Sequence, residues 1–259
     1  MVIVHKYGGS SVATTDKIME IAKYLGGVKE QGYDVIVVVS AMGKRTDALI
    51  SLAKEITKDP DKRELDRLMS TGEQTTIALL AIALKSLGYD AISLTGVQAG
   101  IKTSGHHTKN VIDSVDTDKI SEFLKEGKIV IVAGFQGVNS RGDVTTLGRG
   151  GSDTSAVALA AALGAKCEIY TDVDGIYSID PRVYKEAKKL PLISYDEMME
   201  LAFLGAGVME PRAVELGKKY GVEIYVGKSL GEKNGTIICA EEKCMEKKLI
   251  TGISINENT

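Results

Sequence analysis

Three stretches of this chain are almost unbroken β-branched runs: Val2–Val4, Val35–Val39 and Ile129–Val132. A strand with one wet face alternates apolar and polar residues, so runs without alternation belong to a sheet covered on both sides. Cys167–Thr171 reads as a fourth, more polar strand of the same kind. Helical patterns lie between them. Ile18, Ile21, Ala22 and Leu25 follow the i, i+3, i+4, i+7 rule, with a stop expected at Gly26 and Gly27. From Arg63 to Leu87 the apolar positions are Leu65, Leu68, Met69, Ile77, Leu80, Leu84 and Leu87, with a break expected at Gly72. Alternating strands and helices predict an α/β three-layer sandwich around a mainly parallel central sheet.

With 259 residues, 44% of them apolar, the chain is long enough for one large α/β unit or two closely joined lobes. From about Lys185 the pattern turns helical at Asp196–Phe203 and Arg212–Tyr220, then gives short strands at Val222–Val226 and Thr236–Cys239. The closing MEKKLITGISINENT reads as the opening of a further domain. Thirty-two basic residues against thirty-five acidic ones leave a net charge of -3. No basic block is present to condense onto nucleic acid or anionic lipid, so the expected partner is a small molecule. Three scattered cysteines, Cys167, Cys239 and Cys244, make no disulfide framework and offer no zinc-ligand spacing. The apolar run at the N-terminus is too short for a signal peptide, and the expectation is a cytoplasmic protein.

Ligands of mainly parallel sheets gather beyond the carboxyl ends of the strands. The segments there are KYGGSS, SAMGKRTD, TGVQAG, GFQG and TDVDG, all rich in Gly, Ser, Thr and charge. A Walker-type loop is excluded, because the glycine required five residues before Gly227-Lys228-Ser229 is Val222, and no G-x-G-x-x-G follows a strand. In KYGGSS, Gly8 and Gly9 permit close approach of the backbone to phosphate oxygens and Lys6 adds a compact charge; a glycine turn with a surface lysine is the other reading. In TTLGRGGSDTSA, Ser152 is expected to cap a helix whose first turn carries Asp153, while Arg149 offers a planar fork suited to a carboxylate. YTDVDGIYSIDPR holds Asp172, Asp174 and Asp180 without the spacing of an EF-hand, which leaves a surface turn as the alternative to a ligand loop.

Taken together and in order, HKYGGSSV, VVSAMGKRTD, STGEQ, GFQG, TTLGRGGSDTSA and TDVDGIYSIDPR resemble the aspartate kinases of the amino acid kinase family, over roughly residues 1–240. The resemblance implies transfer of the γ-phosphoryl group of ATP, with Mg²⁺, to the side-chain carboxylate of L-aspartate, the first step toward lysine, threonine and methionine. Catalysis falls to Lys6 and Asp153, with Asp153 orienting Lys6. Thr46, Glu73, Phe135, Arg149 and Ser152 take the amino acid, Arg149 on a carboxylate and Glu73 on the ammonium. Lys6, Gly8, Gly9, Ser10, Thr171, Asp172, Tyr177 and Arg182 take the nucleotide, and no protein-built metal site is implied. The substrate lobe precedes about residue 165 and the nucleotide lobe follows it. Residues 241–259 resemble the entry to an ACT-like regulatory region, and a homodimer is implied. A nucleotide-side lysine that some members of the family carry is matched here by Gly207 and a frequent histidine by Glu210, so Lys228 or Arg212 is expected to supply the missing charge. The neighbouring alternatives are a glutamate, N-acetylglutamate, carbamate or UMP kinase of the same superfamily, or a catalytically silent regulatory subunit.

Overall fold

The computed structural model describes residues 1–203, 208–231, 233–241 and 252. In chain order the first part comprises β1 (Val2–Tyr7), α1 (Thr15–Glu30), β2 (Asp34–Val39), α2 (Arg45–Ile56), α3 (Lys62–Ser86), β3 (Ala91–Leu94), β4 (Ile101–His106), β5 (Lys109–Val115), α4 (Asp118–Lys125), β6 (Ile129–Ala133), β7 (Gln136–Val138), β8 (Val144–Thr146) and α5 (Gly151–Leu163). There follow β9 (Lys166–Thr171), β10 (Ile176–Tyr177), β11 (Lys189–Leu190), β12 (Leu192–Ser194), α6 (Tyr195–Phe203), α7 (Pro211–Tyr220), β13 (Ile224–Lys228) and β14 (Thr236–Cys239).

Eight strands form the central sheet in the order β12-β14-β13-β9-β1-β2-β6-β3. From β13 to β3 all neighbours are parallel; β14 pairs antiparallel to β13 and parallel to β12. The sheet runs without a break across the expected lobe boundary: β1, β2, β6 and β3 come from before residue 165, and β9, β13, β14 and β12 from after it. Strand order therefore reverses at the β1–β9 seam, the kind of switch point where such sheets hold ligands.

The unalternating runs are buried on both faces. Val35, Val37, Val39, Ile129 and Ile131 pack into one core with α1 and α3. Ile36, Val38, Val130 and Val132 enter the opposite core with α5, α6 and α7. In β1, Ile3 and Tyr7 face the first core and Val4 the second, so the period of two puts Lys6 on the α5 side.

Both glycine expectations in helices are corrected. α1 continues through Gly26 and Gly27 to Glu30, and α3 runs unbroken through Gly72. Each is a close-approach position instead. A Cβ on Gly26 would enter the Tyr89 ring, and one on Gly72 would lie 2.9 Å from the Ala41 Cβ. A second sheet, β5-β4-β7-β8, lies beyond the sequence reading. Its hairpin β4–β5 is mostly exposed and polar, which leaves little apolar pattern to detect. The expected regulatory entry at 241–259 lies outside the described residues except for 241 and 252, as do Cys244 and Gly207.

Candidate active site

The geometry of the site starts from Lys6, near the carboxyl end of β1. Lys6 is level with Val38 of β2 and Ile169 of β9, at the switch point itself. Its ammonium lies 2.5 Å from Asp153 Oδ1, with the two side chains about one-tenth exposed. The Asp153 oxygen is enclosed, and its contact with Lys6 is one of charge rather than an aligned hydrogen bond. Two opposite charges removed from water in this way need each other, because loss of either strands the other in a poorly solvated place.

Asp153 is delivered by the first turn of α5, and here the capping expectation is corrected. The cap is Gly150, at φ 63°, a left-handed conformation that glycine adopts without strain. Ser152 lies inside the first turn, where its Oγ accepts a hydrogen bond from Ser40 Oγ at 3.0 Å. Behind the loop, Arg212 donates to the carbonyls of Leu147 at 2.6 Å and Arg149 at 3.2 Å, and its Nε pairs with Glu210 at 3.3 Å. Glu210 in turn packs against Gly150. Arg212 is thus committed to holding the 147–150 loop, which leaves Lys228 as the candidate for the missing charge. Lys228 is exposed at the end of β13, level with Thr171. Arg149 itself is exposed, and its guanidinium makes no hydrogen bond or ion pair among the described residues.

The turn after β1 is pinned from three sides. Gly8 N–H donates to Tyr170 O at 3.1 Å, Gly43 N–H to Gly9 O at 2.9 Å, and Lys17 Nζ to Ser10 O at 2.8 Å. Ser11 and Ser229 share a hydrogen bond of 2.5 Å, which ties this turn to the end of β13. Neither serine was singled out in the sequence, because the two are 218 positions apart and only the fold brings them together. Thr46 occupies the first turn of α2, on the segment that follows β2 at the same edge of the sheet.

Glu73 is buried in the middle of α3 and accepts from Ala41 N–H at 3.1 Å through Oε1. Its other oxygen is buried without a hydrogen-bond partner among the described residues. Burial pushes the carboxyl up to about 7 against the pull of its backbone hydrogen bonds. A cation brought to that oxygen would restore the ionised form. Phe135 holds φ 69° while its N–H donates to Ser155 Oγ at 3.0 Å and its carbonyl accepts from Leu147 N–H at 2.9 Å, so it braces the glycine loop.

The 171–182 segment differs. Thr171 Oγ1 donates to Asp172 Oδ1 at 3.0 Å at the exit of β9. Tyr177 donates to Asp174 at 3.0 Å, and Lys189 pairs with the same carboxylate at 2.5 Å. Arg182 wraps Asp180, with Nη2 at 2.6 Å from its carboxylate. Tyr177 and Arg182 are thus joined to their own loop and not to the Lys6–Asp153 group, although Arg182 lies within electrostatic reach of Asp172.

Among the described residues no cluster of three or more His, Cys, Asp or Glu side chains is arranged to hold a metal ion, and no helix is long and apolar enough to cross a membrane.

Known proteins are similar to this chain over most of its length. An aspartokinase of Bacillus sp. (strain MGA3) is 57% identical over 249 residues, 96% of this chain and 60% of the relative. The crystal structure of an aspartate kinase from Synechocystis superposes with a TM-score of 0.82 at 48% identity, over 93% of this chain and 40% of that one. E. coli aspartokinase III, in complex with aspartate and ADP, superposes with a TM-score of 0.84 at 28% identity, over 93% and 65%. The chain spans about 60% of the length of the curated relatives it matches. The model of the amino acid kinase family matches residues 1–228, and with a switch-point lysine, a glycine loop opening a buried helix and no Walker loop, this chain belongs to the amino acid kinase family.

Proposed function

We propose that the chain transfers the γ-phosphoryl group of MgATP to the side-chain carboxylate of L-aspartate, giving 4-phospho-L-aspartate and ADP, and that residues 1–240 are its catalytic unit. The observation that carries this reading is the Lys6–Asp153 pair, 2.5 Å apart and largely shielded from water, at the seam between β1 and β9. The high identity to aspartokinases supports aspartate as the acceptor.

The obstacle to such a reaction is repulsion between an anionic nucleophile and a triphosphate, roughly 4 kcal/mol for two unit charges at 4 Å and an effective dielectric of 20. Lys6 offsets that charge at the transferring group, and Asp153 fixes the direction of the ammonium. An oxygen of the acceptor carboxylate forms the new bond to the γ-phosphorus as the bond to the bridging oxygen of ADP breaks. No proton has to be removed, since the carboxylate is ionised at pH 7. Arg149 takes the acceptor's other carboxylate, and Glu73, one of whose oxygens has no hydrogen-bond partner among the described residues, takes its ammonium. Thr46, Phe135 and Ser152 complete that pocket. Gly8, Gly9, Ser10, Thr171, Asp172, Tyr177 and Arg182 form the nucleotide side, with Lys228 supplying charge there.

The test is direct: the purified chain is incubated with MgATP and one acceptor at a time, and acyl phosphate is trapped with hydroxylamine. Hydroxamate from L-aspartate is the expected result. Product only from glutamate, N-acetylglutamate, carbamate or UMP would move the activity elsewhere in the family.

A further inference from the structure

Asp66 is a fully buried carboxylate on α3 for which the phosphoryl transfer above has no use. No lysine or arginine pairs with it among the described residues, yet its lone pairs are taken by donors from two other elements. His107 Nδ1 lies 2.6 Å from Oδ2, Thr108 N–H reaches both oxygens at 3.0 and 3.1 Å, and the Thr146 hydroxyl donates to Oδ1. A buried carboxylate is tolerated only when such donors replace its water, so the three interactions stand or fall together.

The donors sit at informative places. His107 and Thr108 are the tip of the β4–β5 hairpin, and Thr108 holds φ 71°, a left-handed conformation that a β-branched residue rarely adopts. The Asp66 carboxylate is what its N–H gains in that conformation. Thr146 ends β8 and leads directly into Leu147, Gly148 and Arg149. The Thr108 carbonyl lies so near Gly148 that a Cβ there would be 3.2 Å away, so hairpin tip and glycine loop are packed against each other. On α3, Asp66, Ser70 and Glu73 follow the i, i+4, i+7 spacing of one buried face. The Ser70 carbonyl accepts from Gln136 Nε2 at 3.0 Å, a residue of β7, the strand paired with β8.

We infer that Asp66 is a positioning residue that clamps the β4–β5 hairpin tip and the arginine-bearing glycine loop to the helix of Glu73, fixing the distance between the two groups that grip the phosphoryl acceptor. The clamp touches neither substrate. It acts through Thr146 on the Arg149 loop and through α3 on Glu73, and it rests on the reading of those two residues as the acceptor's ligands.

Two measurements on His107→Ala, Thr146→Val and His107→Asn test it. The asparagine amide can replace the Nδ1 donor, so His107→Asn serves as the rescue. The clamp predicts that the first two variants raise the KM for aspartate at least tenfold and leave the KM for MgATP within twofold, while His107→Asn stays near wild type. It also predicts that amide hydrogen exchange in the substrate-free chain accelerates at 101–115 and at 147–151 together. Unchanged aspartate KM, parallel rises in both KM values, or faster exchange confined to the hairpin would overturn it. If the wild-type chain phosphorylates no aspartate, the functional reading falls, and coupled or uncoupled exchange of the two segments decides the clamp alone.

Discussion

The 147–153 loop and the 171–182 loop both looked like ligand motifs, but they are built on opposite principles. The first is held from every direction: Arg212 on its carbonyls, Phe135 against its entrance, Asp66 through Thr146, and Lys6 on Asp153. Arg149, exposed and without a side-chain partner among the described residues, projects from this base. The second loop has its charges already paired, Asp174 with Tyr177 and with Lys189 of β11 and Asp180 with Arg182, and most of it is half-buried. A preorganised loop keeps its reorganisation cost low when charge develops in the transition state. A self-paired loop must exchange partners to take a ligand, so its side chains bind less strongly than their chemistry alone indicates. Acceptor-side substitutions should therefore cost far more than nucleotide-side ones.

The largest break in that contrast is expected from Asp153→Asn. With the charge that orients Lys6 removed, kcat should fall by about 10² to 10³, read by initial rates at saturating substrates, with circular dichroism to confirm the fold. Arg149→Ala comes next. Losing a charge-assisted pair raises the aspartate KM by about 10- to 100-fold, while the MgATP KM stays near wild type.

Glu73 sharpens the comparison through pH. Its carboxyl is raised to about 7 by burial, so in the empty site it binds a proton at pH 6 and loses it by pH 8. Between the ordinary carboxylate range and pH 7 the folded state holds more protons than the unfolded one, so stability falls as pH rises through that window. Glu73→Gln, neutral throughout, should be more stable than wild type at pH 8 by on the order of 3 kcal/mol, measured by urea unfolding without substrate. Affinity moves the other way: the aspartate KM of wild type should drop as pH rises from 6 to 8, and the Gln variant should lose that slope.

The smallest effect belongs to Arg182→Ala. Its pairing with Asp180 is exposed, and exposed pairs contribute little, so the MgATP KM should change by less than about threefold. A tenfold rise would show that the loop gives up its internal pairs on binding and would erase the contrast.

These differences mark what the sequence can disclose. Lys6 stood out because it follows a strand whose unalternating run announces a doubly covered sheet, Arg149 and Asp153 because a glycine loop opens an apolar helix, and Glu73 only through the resemblance carried by STGEQ. Ser152 looked like a cap because hydroxyl side chains favour that position, whereas Gly150 does the work through its positive φ. Gly26 and Gly72 looked like breaks, since the Tyr89 ring and Ala41 that require them come from distant segments. Asp66 was illegible for a related reason. An acid in a helix ordinarily reads as a solvated face, and the donors that bury it arrive from residues 107, 108 and 146.

The central claim is that the shielded Lys6–Asp153 pair at the β1–β9 seam is where the phosphoryl group moves. Single-turnover transfer from labelled MgATP to L-aspartate, compared between wild type and Lys6→Ala, tests it most directly. The account predicts that the variant still binds MgATP within about tenfold of wild type but transfers at least about 10²-fold more slowly; transfer at a near wild-type rate would contradict it.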